Sequence, residues 1–415
     1  MIRYRQIKLV FFLLGEMINF APDEAPHPPM QLTEVKDKIS ARHFLRVPSI
    51  IYRSDPHWIP HLDKDTEAVF DPGVNQQYRR GDAVRWILRD RQGQLIGRVA
   101  AFVKDSQAAG QAVGGMGFFE CIDNRDAAFM LFDACRQWLQ ERGMEAMDGP
   151  INFGDKERFW GLLVAGHGKP PPYLMNYHPP YYRRLFEAYG FRNYYEQYVY
   201  HSRTDVTLPP ILEKKYQRLT ESQAYRFECL RLSQLEQFAE DFRIIYNSAW
   251  SDAHKEFSPM TKQQALERFS SMKQVLDPDL LLFAYHHDRP VAFFIGIPEL
   301  NELFRYVNGR LNLAGKLKFL YHRWRGRCRT IYGLIFGIIP EYQNRGLESA
   351  LVMSLQRIVS EKNHYRFMYI TWLGDFNPKM IRIVEHLGAE RAFTLITWRK
   401  LFDEAAPFER HPVIQ

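Results

Sequence analysis

The stretch Ile338-Ile339-Pro340-Glu341-Tyr342-Gln343-Asn344-Arg345-Gly346-Leu347-Glu348 decides how this chain is read. It closes a β-rich run over 330–339 and opens a helical pattern in which Leu347, Leu351, Leu355 and Ile358 share one face. Pro340 ends the strand before the turn. The first turn of such a helix has backbone N–H groups without intrahelical partners and carries the positive end of the helix dipole. Gly346 lets a ligand approach the backbone closely, and Gln343, Asn344 and Arg345 add side-chain donors. Strand, proline, glutamine, glycine and helix in that order make an anion cradle suited to a pyrophosphate.

Working outward, the order of elements around this stretch recurs earlier in the chain. Runs at 280–285 and 291–297 flank a turn from His286 to Pro290, as runs at 83–88 and 95–103 flank Asp90-Arg91-Gln92-Gly93. Each predicted hairpin is followed by a third strand and a helix. In the first half these are 117–122 and a helix with Asp126 as N-cap, ending near Arg142-Gly143. Pro180, Arg184, Glu187 and Gly190 then recur as Pro378, Arg382, Glu385 and Gly388 at a constant offset of 198. Gly190 and Gly388 suit the left-handed residue that ends a helix. The reading is an α/β protein built from two tandem copies of one fold, each a mixed, mostly antiparallel sheet flanked by helices. The copies span 30–205 and 217–402. Thr204-Asp205-Val206-Thr207-Leu208-Pro209-Pro210 marks a linker over 206–216, and 403–415 is a tail. Residues 1–29 are expected to be a disordered extension, or a start placed too early, with Met30 as the true beginning.

Composition bounds the function. The chain has 415 residues, 46% of them apolar and 14% aromatic, which excludes wholesale disorder. Its 25 Gly and 24 Pro exclude collagenous and low-complexity classes. The longest apolar run, 9–14, is far too short to span a bilayer. Cys121, Cys135, Cys229 and Cys328 form no Cys-x-x-Cys pair, so neither a zinc ribbon nor a redox dithiol is indicated. His286-His287 has no clustered ligand beside it, and no metal site is expected. So few cysteines suit a reducing compartment, and a cytoplasmic location is expected.

The net charge of +7 is local. Lys316, Lys318, Arg323, Arg325, Arg327 and Arg329 are six cations without an acid between them, interleaved with Leu317, Phe319, Leu320, Tyr321 and Trp324. Segment 316–329 is therefore expected to meet an anionic partner. That partner is a membrane surface, a phosphate backbone or an anionic ligand; otherwise the segment is a solvated helix face.

The stretch at 338–348 resembles the nucleotide signature of the GCN5-related N-acetyltransferase (GNAT) superfamily, Gln/Arg-x-x-Gly-x-Gly/Ala. Gln343, Asn344, Arg345, Gly346 and Leu347 match its first five places, and Glu348 stands where the sixth is Gly or Ala. A carboxylate 4 Å from a pyrophosphate charge costs about 1–4 kcal/mol. Asn377-Pro378 and Leu387-Gly388-Ala389 are similar to the superfamily's next motif. The place of its general-acid tyrosine is held by Val384, and by Phe186 in the first half.

Several stretches resemble a bacterial group of large tandem acetyltransferase-like proteins. They are Asp55-Pro56-His57-Trp58-Ile59-Pro60, Gly149-Pro150-Ile151-Asn152-Phe153, Pro179-Pro180-Tyr181-Tyr182 and Pro298-Glu299-Leu300-Asn301.

The resemblance implies an acetyl-CoA or other acyl-CoA cofactor held by Ile338, Ile339, Gln343, Asn344, Arg345, Gly346, Leu347 and Asn377. The first half reads Ile122-Asp123-Asn124-Arg125-Asp126 at the matching turn, and its aspartates would repel a pyrophosphate. That copy is expected to be without cofactor and to shape the substrate side, with Asn152, Tyr181 and Tyr182 joined by Asn301. Glu299, Asp375 and Glu385 are the candidate catalytic carboxylates for acyl transfer to an amine of a small molecule or peptide. Two other readings stand beside it. One is a transferase of the same paired fold that takes an aminoacyl group from tRNA, with segment 316–329 on the RNA. The other is a non-catalytic acyl-CoA-binding protein.

Overall fold

The computed structural model describes residues 29–104, 111–251 and 259–414. The extension expected at 1–29 lies, apart from Pro29, outside the described residues. In the first half, β1 (Gln31–Glu34), α1 (Lys38–Ile51) and α2 (Asp63–Val69) lead into β2 (Asp82–Arg89), β3 (Leu95–Val103) and β4 (Val113–Cys121). Then follow α3 (Arg125–Gln140), β5 (Ala146–Gly149), β6 (Leu162–Ala165), α4 (Tyr181–Tyr189) and β7 (Arg192–Arg203).

The second half opens with α5 (Pro210–Thr220), β8 (Tyr225–Cys229), α6 (Leu235–Trp250) and α7 (Lys262–Met272). It continues with β9 (Leu281–His286), β10 (Arg289–Pro298), α8 (Asn301–Phe304) and α9 (Leu313–Trp324). It ends with β11 (Thr330–Ile338), α10 (Leu347–Lys362), β12 (Phe367–Gly374), α11 (Pro378–His386) and β13 (Glu390–Leu401).

Both predicted hairpins form, and Gly190 (φ 91°) and Gly388 (φ 79°) take the left-handed conformation expected of them. Several boundaries differ from the sequence reading: the strand expected at 117–122 begins at Val113. The N-cap of α3 is Asn124, whose side chain accepts from the Ala127 N–H, so the helix starts before Asp126. The expected linker at 206–216 carries the first turns of α5, because Pro210 sits at the first helical position, where its missing N–H costs nothing.

Among the described residues, thirteen strands join in one sheet of order β1-β2-β3-β4-β5-β13-β7-β12-β11-β10-β9-β8, with β6 also paired to β13. The pairs β4–β5 and β11–β12 are parallel and every other pair is antiparallel. The two copies do not lie side by side with separate edges. The last strand of each crosses to the other: β13 fills the place beside β5, and β7 fills the place beside β12. β7 and β13 then pair with each other, with Gln197 opposite Leu395, two positions related by the same offset of 198.

The cores follow the exchange. Ile396 and Trp398 of β13 are buried with Leu162, Leu185 and Phe186 of the first half. Tyr198 and Tyr200 of β7 are buried with Val384 and Ala389 of the second. A Trp398→Ala variant is therefore expected to lose about 3–5 kcal/mol of stability. It should melt the first-half core together with the second in a single calorimetric transition, although residue 398 belongs by sequence to the second half.

Candidate active site

The parallel register of β11 and β12 runs only from Thr330 opposite Phe367 to Gly333 opposite Ile370. Beyond it β11 continues to Ile338 and β12 to Gly374, so the two strands part as a fork. Thr371 Oγ1 donates to the Gly333 carbonyl (2.9 Å) where they separate. Leu334, Ile335 and Phe336 are half-buried along the open side. Past Gly333, β11 thus keeps the neighbouring β10 on one side and has no ladder partner among the described residues on the other.

At the far end of β11 the chain turns into α10. Gly346 is the N-cap with φ 94°, and no side chain among the described residues caps the helix. Asn344 is also left-handed (φ 61°), a conformation Asn tolerates. A Cβ at Gly346 would lie 3.5 Å from Lys215 Cβ and 3.6 Å from Arg218 Nη2, both on α5. Arg218 Nη2 donates to the Arg345 carbonyl (3.1 Å). Gln343 Nε2 donates to the Ile338 carbonyl (3.4 Å), bracing the turn. Leu347 is buried in the core, and Ile338 and Ile339 are buried at the end of the strand. Uncapped amides flanked by Lys215 and Arg218 fit a diphosphate, and the Arg345 guanidinium lies over the Tyr342 ring of the same turn. Glu348, half-buried in the same first turn, has no ion-pair partner among the described residues. Asn377 caps α11, its side chain accepting from the Met380 N–H (3.2 Å).

The matching place in the first half is closed. Asn124 caps α3, Asp123 is bonded to Arg184 (2.6 Å), and the end of β4 is covered by two tyrosines. Tyr181 Oη donates to the Cys121 carbonyl (2.7 Å), and the Cys121 N–H donates to Tyr182 Oη (2.8 Å). The two residues expected on the substrate side therefore satisfy backbone groups of their own half, and Tyr182 is fully buried.

The candidate carboxylates stand in three different settings. Asp375 is bonded to Arg410 of the tail (2.5 Å), and Glu385 accepts from Tyr200 Oη (2.8 Å). Glu299, just past β10, is buried. Its Oε1 accepts from the N–H groups of Tyr173 (2.8 Å) and Asn301 (2.9 Å), while Oε2 has no partner among the described residues. Burial pushes its carboxyl up to about 8, against the pull of those two amides. Asn301 donates to the Pro171 carbonyl (2.9 Å), tying the halves together. Asn152 is buried, and its Oδ1 has no partner among the described residues. A chamber of about 20 Å³ between the fork and the first half is lined by Trp160, Leu174, Gln197, Tyr332, Thr371 and Trp372.

The sequence reading missed a cavity of about 810 Å³ between α1, the end of β4 and the segment leading into α9. Phe118, Phe119, Phe159 and Trp58 wall it, and Arg98, Glu120 and His178 bring buried polar groups to it. Glu120 accepts from Tyr52 Oη (2.6 Å) and Tyr182 Oη (2.9 Å), with Arg98 at 3.5 Å. Burial raises the Glu120 carboxyl and lowers the His178 imidazole to about 3. His178 Nδ1 accepts from the Leu163 N–H (3.1 Å), leaving Nε2 as the protonated nitrogen. The available signal was a single charge in each of two apolar runs: Arg98 and Glu120 stand directly opposite across β3 and β4.

Glu299 sets a pH dependence. Its folded value lies above the unfolded one, so the folded state holds the extra proton between about pH 4.5 and 8 and loses stability as pH rises through that window. Glu299→Gln should remove this slope. Its melting temperature relative to the parent should climb from pH 5 to pH 8 and level off above, as followed by circular dichroism.

No family model matches the chain. Protein YghO of Escherichia coli K12 is 25% identical over 363 residues, covering 85% of this chain and 91% of that one. The bacterial ceramide synthase of Caulobacter vibrioides is 25% identical over 388 residues, covering 91% of this chain and 99% of that one. Among solved structures, the tandem GNAT protein from the clavulanic acid biosynthesis pathway superposes with a TM-score of 0.52 at 10% identity, covering 92% of this chain and all of its own. The GCN5-related glucosamine N-acetyltransferase region of a fungal multi-domain β-N-acetylglucosaminidase gives a TM-score of 0.54 at 13% identity. It covers 90% of this chain, which spans 38% of that longer protein. With its paired half-sheets, its two parallel strand pairs and the fork ahead of an uncapped helix, this chain has the tandem GCN5-related N-acetyltransferase fold.

Proposed function

We propose that the protein is an acyl-CoA-dependent N-acyltransferase that holds its cofactor in the second half and acylates a long-chain amine. The observation that carries this reading is the side-chain-free start of α10 at the mouth of the fork. The matching helix of the first half is capped by Asn124 and its strand end is covered by Tyr181 and Tyr182. When bound, the cofactor supplies an activated acyl thioester. The amides from Gly346 onward, with Lys215, Arg218 and Arg345, hold its diphosphate. The free N–H groups of β11 beyond Gly333 face the opening in which oxyanion charge would develop. Glu299, with a carboxyl near 8, is in its proton-accepting form above about that pH, where it would take the proton of the acceptor ammonium.

The acceptor class draws on the relative named as a ceramide synthase, since ceramide is an N-acylated long-chain amine. The 810 Å³ cavity, with aromatic walls and a buried polar end, has room for such a molecule.

Isothermal calorimetry with acetyl-CoA and a long-chain acyl-CoA tests the site. Gly346→Trp should abolish binding, and unchanged affinity in that variant would remove the assignment. Glu348→Ala should tighten binding about fivefold, the equivalent of about 1 kcal/mol of relieved like-charge repulsion. Thioester turnover with short and long-chain amines tests the acceptor. The rate is expected to rise with pH to a plateau above about pH 8 through Glu299, and to lose that rise in Glu299→Gln.

A further inference from the structure

The helix α9 carries an apolar stripe on the wrong side for a globular protein. Gly315 is buried, Phe319 packs on Phe304, and His322 stacks on Tyr306, so these positions mark the inward face. The opposite face holds Leu313 (76% exposed), Leu317, Leu320, Tyr321 and Trp324 (80% exposed). On a 3.6-residue helix these five fall within one third of the circumference. Lys316 and Arg323 border the stripe on one side, and Lys318 and Arg325 on the other. All four are exposed, and Arg327 and Arg329 continue the positive charge beyond the helix.

We propose that α9 is a membrane-surface anchor that seats the protein on an anionic bilayer. A helix with exposed Leu and Trp between two rows of cations is shaped to lie in the headgroup plane, apolar side down. Charge complementarity selects the occupant: six cations without an intervening acid repel a second copy of the same face and attract anionic lipid. A nucleic acid would use the cations but leave the aliphatic stripe in water. Ala314, Gly315 and Lys318 of the same helix also line the 810 Å³ cavity, so docking would bring its mouth to the lipid surface. The anchor stands independently of the acyl-transfer reading, because it depends on this helix alone.

Co-sedimentation of the full chain with phosphatidylcholine vesicles, with and without about 30% phosphatidylglycerol, tests it. The parent protein should bind the anionic vesicles roughly tenfold more tightly than the neutral ones, and added salt should weaken that binding. The triple variant Leu317→Glu, Leu320→Glu, Trp324→Glu should lose binding roughly tenfold or more, with an unchanged melting temperature because all three side chains are exposed. Lys318→Glu with Arg323→Glu should abolish the preference for anionic lipid. Brominated lipid should quench part of the tryptophan emission, and that part should vanish in Trp324→Phe. Vesicle binding retained by the triple variant would overturn the proposal. So would a dimer in sedimentation velocity that the triple variant dissociates, or binding to single-stranded RNA without binding to vesicles.

Discussion

The antiparallel pairing of β7 with β13 is the interaction on which the rest of the structure depends. A copy of this fold needs a last strand beside its fifth, and here each copy takes that strand from the other. The exchange turns two half-sheets into one and places aromatic side chains of each last strand in the opposite core. It also brings residues 156–175 of the first half against the inner end of the second-half fork, where Trp160 and Leu174 face Tyr332 and Thr371. The fork is therefore bounded by both copies.

Built on the same plan, the two halves are chemically unequal, and the difference lies in a few side chains. Gly346 leaves a helix end bare; Asn124 fills the corresponding one. The end of β11 is open, whereas the end of β4 has its amide and carbonyl taken by Tyr182 and Tyr181. What the first half kept is a different space: a large cavity with a buried arginine–glutamate pair, a neutral histidine and aromatic walls. Burial disfavours the charged forms of both Arg98 and Glu120; two tyrosine hydroxyls donate to Glu120 and Arg98 donates to the Phe44 carbonyl, while Arg98 Nε has no partner among the described residues.

Local patterns made much of this legible in the sequence. Alternation bounded by turn residues marked both hairpins, and the strand–proline–glycine–helix order marked the turn from β11 into α10 at 338–348. The recurrence from Pro180 to Gly190 and from Pro378 to Gly388 marked the duplication. Non-local pairing left no such trace. Nothing in residues 390–401 announces that they neighbour residues 146–149, because strand partners are chosen by packing and twist across the whole sheet. The cavity was hidden for the same reason: its lining comes from short pieces between residues 42 and 318. Asn301 and Tyr182 read in the sequence as substrate contacts, but the contacts they make are with the fold itself. Polarity in a sequence does not say whether a group faces a ligand or a neighbouring carbonyl.

The exchanged last strands have a consequence for biosynthesis. The chain leaves the ribosome from its N-terminus, and β5 is complete once residue 149 has emerged, yet the strand that covers it begins at residue 390. Until then the first half exposes an unpaired strand edge and an unfilled core, which invite pairing with other nascent chains. Production of this protein should therefore be sensitive to translation rate and to the availability of chaperones that shield half-made sheets, far more than for a tandem protein whose domains close one at a time.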